Sequence, residues 1–251
     1  YVVSLPQWSD LLVDGVGHAE TVMVVGGRGV TSVAAADLFP KLRLIQTLSA
    51  GTDTVPKVEM SERGVRVANN QGGNAVAVAE VTVALIVSTY RRLMVQWNDL
   101  NIRGVYGEGF SSDWGRFHEL TGKRVGIVGL GQIGSRVAKR LAGWECEIVY
   151  SDVVSHSAEY ESAAGAVRVD FDELIETSDV ISLHVPLDRS TEKILSDREF
   201  GRMKPGAIVI NAWRGPVVDE AALIRALDDG QIAGAGLDVT EIEPVEMTNA
   251  L

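Results

Sequence analysis

Residues 124–152 of the chain read RVGIVGLGQIGSRVAKRLAGWECEIVYSD. The apolar run at residues 124–128 is typical of a buried strand, and the amphipathic spacing over about residues 133–142 predicts a helix. Between them lies the pattern GxGxxG, formed by Gly129, Gly131 and Gly134. The pattern alone is a weak signal in a chain with 26 glycines, but between a strand and a helix it permits a tight turn, approach of a pyrophosphate and close helix–strand packing. The stretch therefore predicts a Rossmann dinucleotide-binding unit.

An acidic residue ends the next predicted strand. Asp152 stands about 20 positions after the second glycine of the motif, the spacing expected of a carboxylate that binds the adenosine ribose. A carboxylate there accepts hydrogen bonds from both ribose hydroxyls of NAD and repels the 2′-phosphate of NADP, and no Arg or Lys follows until Arg168. The sequence therefore predicts NAD in preference to NADP. The alternative is a purely structural glycine turn with an unrelated Asp152.

Bulk composition limits the class of protein. At 251 residues the chain is long for one core, so two unequal domains are expected. Its formal net charge of −11 would repel phosphate backbones and anionic lipid, so we expect neither nucleic acid nor a membrane as partner. Cys146 is the only cysteine, which excludes an intrachain disulfide, argues against a metal site and favours the reducing cytoplasm. The apolar stretch at residues 75–87 is too short to span a bilayer, and the start shows no targeting pattern.

Short apolar runs alternate with turn signals and helical spacings along the whole chain. This repeated alternation predicts an α/β protein with a parallel, doubly wound sheet. In the first part, Asn74 is the expected start of one helix that runs to about Asn101, after which a glycine-rich loop at residues 104–112 links two domains. In the second part, helical spacing at residues 219–228 stops at Gly230. The predicted strands lie at residues 22–25, 42–45, 124–128, 147–150, 180–185, 207–212 and 235–239.

Several further strings occur in order along the chain. They are GTD at 51–53, GGNAVAVAE at 72–80, LTGK at 120–123, HVPL at 184–187, MKPG at 203–206, NAWRG at 211–215, GLDV at 236–239 and EP at 243–244. Together with the glycine motif, this ordered set resembles the D-isomer-specific 2-hydroxyacid dehydrogenases, the family of D-lactate, D-glycerate, 3-phosphoglycerate and formate dehydrogenases. The resemblance covers nearly the whole chain.

The resemblance implies two domains with the chemistry between them. Residues 1–101 would form an incomplete, smaller, flavodoxin-like α/β domain that binds the substrate. Residues 102–251 would form the Rossmann domain that binds NAD, without its last strand and returning helix, so both ends are expected to be truncated. The implied reaction transfers a hydride between the nicotinamide and a small D-2-hydroxy or 2-keto acid. Similar members pair through the region of the helix that begins at Asn74, so we expect a homodimer.

Two residues carry the implied catalysis. Arg214 follows a strand end, where its guanidinium could bind the substrate carboxylate and polarise the keto oxygen, the alternative being a surface salt bridge. Glu243 would orient a proton-carrying histidine and raise its pKa. That histidine is expected beyond Leu251, and without it Glu243 is a loop carboxylate.

The resemblance also implies the remaining binding residues. Asp238 would hydrogen-bond the nicotinamide carboxamide, the alternative being a strand-end turn residue, and His184 would line a loop along the cofactor rather than act as a base. Backbone N–H groups at residues 49–51 would receive the substrate carboxylate, although a simple turn explains that loop nearly as well. The implied cofactor-binding residues are Gly129, Gly131, Gln132, Ile133, Gly134, Asp152, His184, Pro186, Thr191, Ala212, Trp213, Arg214 and Asp238, and the implied substrate-binding residues are Ser49, Ala50, Gly51 and Val76.

Two positions depart from the family pattern, and two other functions stay open. Trp213 stands where the family commonly has a small residue, and Thr240 stands where an aromatic residue is usual, so either the pocket is reshaped or the neighbouring core compensates. An NAD(H)-sensing binding protein similar to the C-terminal-binding-protein corepressors would use the same fold to bind peptides. A formate or phosphite dehydrogenase would share the scaffold but oxidise a substrate without a 2-hydroxy group.

Overall fold

The contacts within the chain divide it into two compact units, one ending at Asn74 and the other beginning at Ala75. The structure is a computed structural model that describes residues 21–25, 33–37, 39–53, 55–105 and 119–251. The division into a substrate domain and an NAD domain at residues 101 and 102 stays a prediction. Most of the predicted linker at residues 104–112 lies outside the described residues.

The first unit contains a small parallel sheet. Its elements are β1 (Thr21–Val25), α1 (Val33–Asp37), β2 (Leu42–Thr47), α2 (Lys57–Glu62) and β3 (Arg66–Ala68). The strands pair in the order β1-β2-β3, and Ile45 and Met60 are fully buried in the core. The predicted strands at residues 22–25 and 42–45 are confirmed. The sequence did not predict β3, because three residues beginning with Arg66 give no periodic signal. The flavodoxin-like assignment of this unit stays a prediction.

Two helices, α3 (Ala75–Tyr90) and α4 (Leu93–Asn101), open the second unit. The prediction of one continuous helix from Asn74 to Asn101 is wrong, because Arg92 has a left-handed φ of 51° and separates α3 from α4. Side chains with a β-carbon rarely adopt that conformation. Arginine is a good helix former, so the sequence carries no signal for the break.

The second unit is built around a parallel sheet. Its strands are β4 (Arg124–Val128), β5 (Glu147–Ser151), β6 (Val167–Arg168), β7 (Val180–Leu183), β8 (Ala207–Asn211) and β9 (Ile232–Leu237). They pair in the order β6-β5-β4-β7-β8-β9, which is the strand order of a Rossmann fold. The predicted doubly wound sheet is confirmed. Only β6, a strand of two residues, was missed, because it is too short to show a period.

Helices cover both faces of this sheet. The remaining helices are α5 (Gly134–Leu141), α6 (Ala158–Ala164), α7 (Phe171–Thr177), α8 (Asp197–Phe200) and α9 (Glu220–Asp228). Alternate strand residues face opposite sides: Ile127 and Tyr150 pack with α3 and α5, whereas Val128 and Val149 pack with α7 and α9. The helix predicted at residues 219–228 is confirmed as α9, and Asp219 caps it by accepting a hydrogen bond from the Ala222 N–H at 3.1 Å.

The carboxyl ends of the strands in the second unit lie at one edge of the sheet. Because the strands are parallel, the turns that follow β4, β5, β7, β8 and β9 all leave the same edge of the sheet. This carboxyl edge contains most of the residues predicted to bind the cofactor. Among the described helices, none combines the length and apolar character needed to cross a bilayer.

Candidate cofactor and catalytic site

The three glycines of the turn after β4 have different structural reasons to be glycine. Gly129 has a φ of 92°, and a β-carbon there would lie 2.7 Å from the His184 carbonyl oxygen. A β-carbon on Gly134 would lie 2.1 Å from the Gly129 carbonyl oxygen. A β-carbon on Gly131, in contrast, would meet nothing within 4 Å. The fold itself requires the first and third glycines, whereas the second leaves open space of the kind that a pyrophosphate needs beside the backbone.

Asp152 is joined directly to this turn. Its Oδ2 accepts the Leu130 N–H at 2.8 Å, and its Oδ1 accepts the Val154 N–H at 2.8 Å. The side chain is 13% exposed, so these bonds fix the carboxylate at the edge of the turn. Each carboxylate oxygen can accept a further bond, which is what two ribose hydroxyls require.

Two aromatic side chains that the sequence did not suggest, Tyr160 and His156, lie beside the glycine turn and Asp152. The Tyr160 hydroxyl donates to the Leu130 carbonyl oxygen at 3.1 Å, and the Tyr160 ring stacks on His156 with centroids 4.7 Å apart. The His156 Nε2 lies 3.4 Å from the Asp152 Oδ2. Their positions near the start of α6 match no cofactor motif, so only the fold identifies them as part of the site.

The turn after β7 places His184 beside the glycine turn. The His184 N–H donates to the Val128 carbonyl oxygen at 2.8 Å, and its Nε2 lies 2.9 Å from the Ser182 Oγ. Burial lowers the pKa of His184 to about 3, so the ring is neutral near neutral pH. A buried ring with so low a pKa is a weak proton acceptor, which agrees with a wall residue and not with a base.

Thr191 closes the loop that His184 begins. Its hydroxyl donates to the Pro186 carbonyl oxygen at 2.5 Å and accepts the Asp188 N–H at 2.9 Å. Thr191 is 9% exposed, so within this chain it fixes the loop. Its predicted contact with the cofactor stays a prediction.

Two buried polar atoms at the carboxyl edge have no hydrogen-bond partner in the described part of the chain. They are the His184 Nδ1 and the Trp213 Nε1. Buried polar groups are usually hydrogen-bonded, and these two belong to turns that directly follow β7 and β8. Together with the space at Gly131 and the fixed Asp152 carboxylate, they fit a dinucleotide with polar groups along its length.

The turn after β8 holds the predicted catalytic arginine. Asn211 is buried and clamps this turn, since its Nδ2 donates to the Arg214 carbonyl oxygen at 2.8 Å and its Oδ1 accepts the Trp213 N–H at 3.1 Å. The Arg214 guanidinium lies over the Trp213 ring, 4.8 Å from its centroid, and donates to the Trp213 carbonyl oxygen at 2.8 Å. Trp213, one of the two positions that depart from the family pattern, therefore contacts Arg214 directly.

The loop after β9 interlocks with that turn. A β-carbon on Gly215 would lie 1.8 Å from the Thr240 carbonyl oxygen. The Thr240 N–H in turn donates to the Glu243 Oε1 at 3.3 Å, and the Asp238 N–H donates to the Asn211 carbonyl oxygen at 2.9 Å. The structure thus brings the segments of Arg214, Asp238 and Glu243 together.

The predicted substrate loop belongs to the first unit. The Ser49 hydroxyl donates to the Gly51 carbonyl oxygen at 3.0 Å, and the Asn69 Nδ2 donates to the Ala50 carbonyl oxygen at 2.7 Å. Val76, at the start of α3, is 50% exposed and belongs to the second unit. The assignment of these residues to the substrate stays a prediction. Within the described ranges, no group of three or more potential ligand residues could hold a metal ion.

The chain is similar in sequence to known glyoxylate reductases. The chain is 38% identical over 215 residues to a glyoxylate reductase of Thermofilum pendens, which covers 86% of this chain and 63% of that protein. It is 42% identical over 211 residues to a glyoxylate reductase of Thermococcus litoralis, which covers 82% of this chain and 62% of that protein. The chain therefore spans less than two thirds of the length of these relatives.

Solved structures and a family model agree with these relatives. The fold is similar to a D-lactate dehydrogenase from Aquifex aeolicus complexed with NAD and lactic acid, with a TM-score of 0.80, 32% identity, and coverage of 94% of this chain and 67% of that one. The family model for the NAD-binding domain of D-isomer-specific 2-hydroxyacid dehydrogenases matches residues 83–251. NAD is therefore the cofactor of this domain, and the chain belongs to the D-isomer-specific 2-hydroxyacid dehydrogenase family.

Proposed function

We propose that the protein containing this chain reversibly reduces a small 2-keto acid to the D-2-hydroxy acid at the expense of NADH. One observation carries the proposal: the segments of Arg214 and Glu243 interlock through Gly215 and Thr240. Their turns leave the same sheet edge as the glycine turn and Asp152. Reduction of a carbonyl needs a hydride donor, an electrophile and a proton donor, and a nucleotide site beside an arginine and a carboxylate that can orient a proton donor fits that need.

The proposed cofactor contacts follow from the carboxyl edge. Asp152 would accept hydrogen bonds from the ribose, the backbone of residues 129–134 would hold the pyrophosphate at the start of α5, and Asp238 would hydrogen-bond the carboxamide. His184, Pro186 and Thr191 would form a wall along the dinucleotide. When bound, NADH supplies the hydride that the keto carbon of the substrate accepts.

The chain's own residues would prepare the substrate for that transfer. Arg214 would donate paired hydrogen bonds to the carboxylate and keto oxygen, and its charge would stabilise the negative charge that develops on that oxygen. Residues 49–51 would contribute backbone N–H groups to the carboxylate. Glu243 would orient the histidine that protonates the oxygen, the residue that the family resemblance implies.

The curated relatives support a small substrate. Both are named glyoxylate reductases, and glyoxylate is among the smallest 2-keto acids. Trp213 fills a position beside Arg214 with a bulky ring, which also favours small acids over branched or aromatic ones. The comparisons give no support to the corepressor-like alternative.

We further propose that the protein is a cytoplasmic homodimer and that it binds neither nucleic acid nor membranes. No residue of α4 is buried, and the helix exposes a set of apolar side chains: Leu93, Met94, Val95, Trp97 and Leu100. Apolar patches of this kind are typical of interfaces, so α4 supports pairing between two copies. The net charge of −11 and the single cysteine support the remaining parts of the proposal.

The test uses protein expressed from the full reading frame that encodes this chain. Loss of NADH absorbance is followed with glyoxylate, hydroxypyruvate, pyruvate and a branched 2-keto acid, and NAD reduction is followed with formate and phosphite. We expect turnover of the small keto acids that collapses in Arg214→Ala and persists in Arg225→Ala, whose exposed side chain pairs with Asp197. Tight NADH binding without turnover of any substrate would contradict the enzyme and favour nucleotide sensing.

A further inference from the structure

A cation that no cofactor motif includes lies at the turn after Asp152. Arg168 is in β6, where it pairs in register with Tyr150 of β5. Its guanidinium crosses to the end of β5 and donates to the Asp152 carbonyl oxygen at 2.8 Å and to the Ser155 Oγ at 3.0 Å. The next strand of the sheet thus places a positive charge on the backbone turn that begins at Asp152, the residue whose carboxylate is proposed to bind the ribose.

The Arg168 guanidinium has hydrogen-bond donors beyond those that it uses to bind the turn after Asp152. A guanidinium has five N–H donors, and these bonds engage two of its nitrogens at one edge of an exposed side chain. Ser155 adds a hydroxyl and His156 a ring nitrogen, and the His156 Nε2 lies 3.4 Å from the Asp152 Oδ2. Arginine with hydroxyl and imidazole groups is a common set of phosphate ligands.

The Asp152 carboxylate prevents Arg168, Ser155 and His156 from binding an anion. It occupies the Leu130 and Val154 N–H groups, both at 2.8 Å, and its charge opposes any second anion at the same turn. Without that charge, the turn would keep the two N–H groups, the Ser155 hydroxyl and the Arg168 guanidinium as hydrogen-bonding groups, with no anion among them.

We propose that Arg168, with Ser155 and His156, forms a latent site for the 2′-phosphate of NADP, and that the Asp152 carboxylate alone keeps it closed. The proposal rests on the proposed nucleotide function of this edge. It makes Arg168 a specificity-determining residue. Removing the charge of Asp152 then suffices to admit NADPH without introducing any new cation.

The test measures dissociation constants of NADH and NADPH by fluorescence titration, with protein from the full reading frame and no substrate present. Asp152→Asn is expected to bind NADPH at least about tenfold more tightly than the wild type and NADH more weakly, because one charge-assisted hydrogen bond contributes about that factor. Adding Arg168→Gln should abolish the gain for NADPH and change NADH affinity less than about threefold. The matched control adds Arg198→Gln, a 64% exposed arginine paired with Asp172, and should retain the gain.

The outcomes separate this inference from the proposed function. If the wild type binds neither nucleotide, both fail. If the wild type binds NADH but Asp152→Asn gains no NADPH affinity, or the gain survives Arg168→Gln, only the latent site is wrong. Because Asp152 also ties the glycine turn, Asp152→Ser is made in parallel and thermal melting verifies the fold. Arg168→Gln in the wild-type background leaves Asp152 intact. Because the carboxylate keeps the site closed there, the affinities for NADPH and NADH should both stay within about threefold of the wild type. A larger loss of NADPH affinity would show that Asp152 does not close the site.

Discussion

The carbonyl oxygen of Thr240 lies 1.8 Å from the place that a β-carbon on Gly215 would occupy. The obstacle is backbone, so a substitution there must move one of two loops. Those loops hold Arg214 on one side and Glu243 on the other. The fit between Gly215 and Thr240 therefore sets the relative position of the two predicted catalytic residues.

Gly215→Ala is expected to destabilise the protein by about 1–3 kcal/mol, the usual cost of overpacking, and to reduce turnover. Thermal melting and keto acid reduction measure the two effects. Gly143→Ala is the control, because a β-carbon at Gly143 would meet nothing within 4 Å. A variant Gly215→Ala with native stability and activity would show that the two loops are not interlocked in solution.

Gly131→Ala should weaken NADH binding without changing the stability of the fold. Since a β-carbon on Gly131 meets no protein atom within 4 Å, the free energy of unfolding should hardly change. The added methyl group would enter the space proposed for the pyrophosphate, so NADH affinity should fall by about tenfold or more.

Gly134→Ala provides the contrast to that variant. Its β-carbon would lie 2.1 Å from the Gly129 carbonyl oxygen, so we expect a loss of stability as well as of NADH binding. Native NADH affinity in Gly131→Ala would show that the pyrophosphate does not approach the turn at that residue.

His184 makes the stability depend on pH. Burial lowers its pKa from 6.5 in the unfolded chain to about 3 in the folded protein. As the pH falls below 6.5, His184 becomes protonated in the unfolded chain but stays neutral in the folded protein. The free energy of unfolding therefore decreases between pH 6.5 and about pH 3, by about 1.4 kcal/mol for each pH unit.

His184→Asn removes this titration and keeps a polar group near Ser182. Urea unfolding at about pH 7 and about pH 5 should show that the variant loses less stability than the wild type on acidification. An equal loss in both proteins would mean that His184 is not buried in the neutral form.

Trp213 is expected to position Arg214. The guanidinium lies 4.8 Å from the ring centroid, and such contacts contribute about 0.5–2 kcal/mol. Trp213→Leu should therefore lower kcat/KM for glyoxylate about threefold to thirtyfold, whereas Trp213→Phe, which keeps a ring under the cation, should recover most of it. If Phe and Leu are equally impaired, the contribution of Trp213 is packing and not contact between ring and charge.

The features that the sequence predicted are those that local residue patterns specify. The strand before Gly129, the glycine turn and the acidic residue at Asp152 follow one another along the chain, and backbone geometry requires glycine at two of the three positions. The central strands β4, β7 and β8 are likewise continuous apolar runs that are buried on both faces, as is typical of a parallel sheet.

The features that the sequence did not predict depend on contacts between distant segments. Arg168 reaches the turn after Asp152 only because β6 pairs with β5, and Tyr160 reaches Leu130 across the glycine turn. The break at Arg92 is set by a backbone conformation that arginine does not favour. None of these leaves a periodic pattern in the sequence.

The most direct test of the central claim is the steady-state rate of glyoxylate-dependent NADH oxidation by protein from the full reading frame, compared between the wild type and Arg214→Lys. Lysine keeps the charge but not the paired hydrogen bonds of the guanidinium. The proposed function predicts turnover by the wild type and a loss of about 100-fold or more in kcat for the variant, a larger effect than any on its NADH affinity. Equal rates in the two proteins, or no keto acid reduction by a wild type that binds NADH, would contradict it.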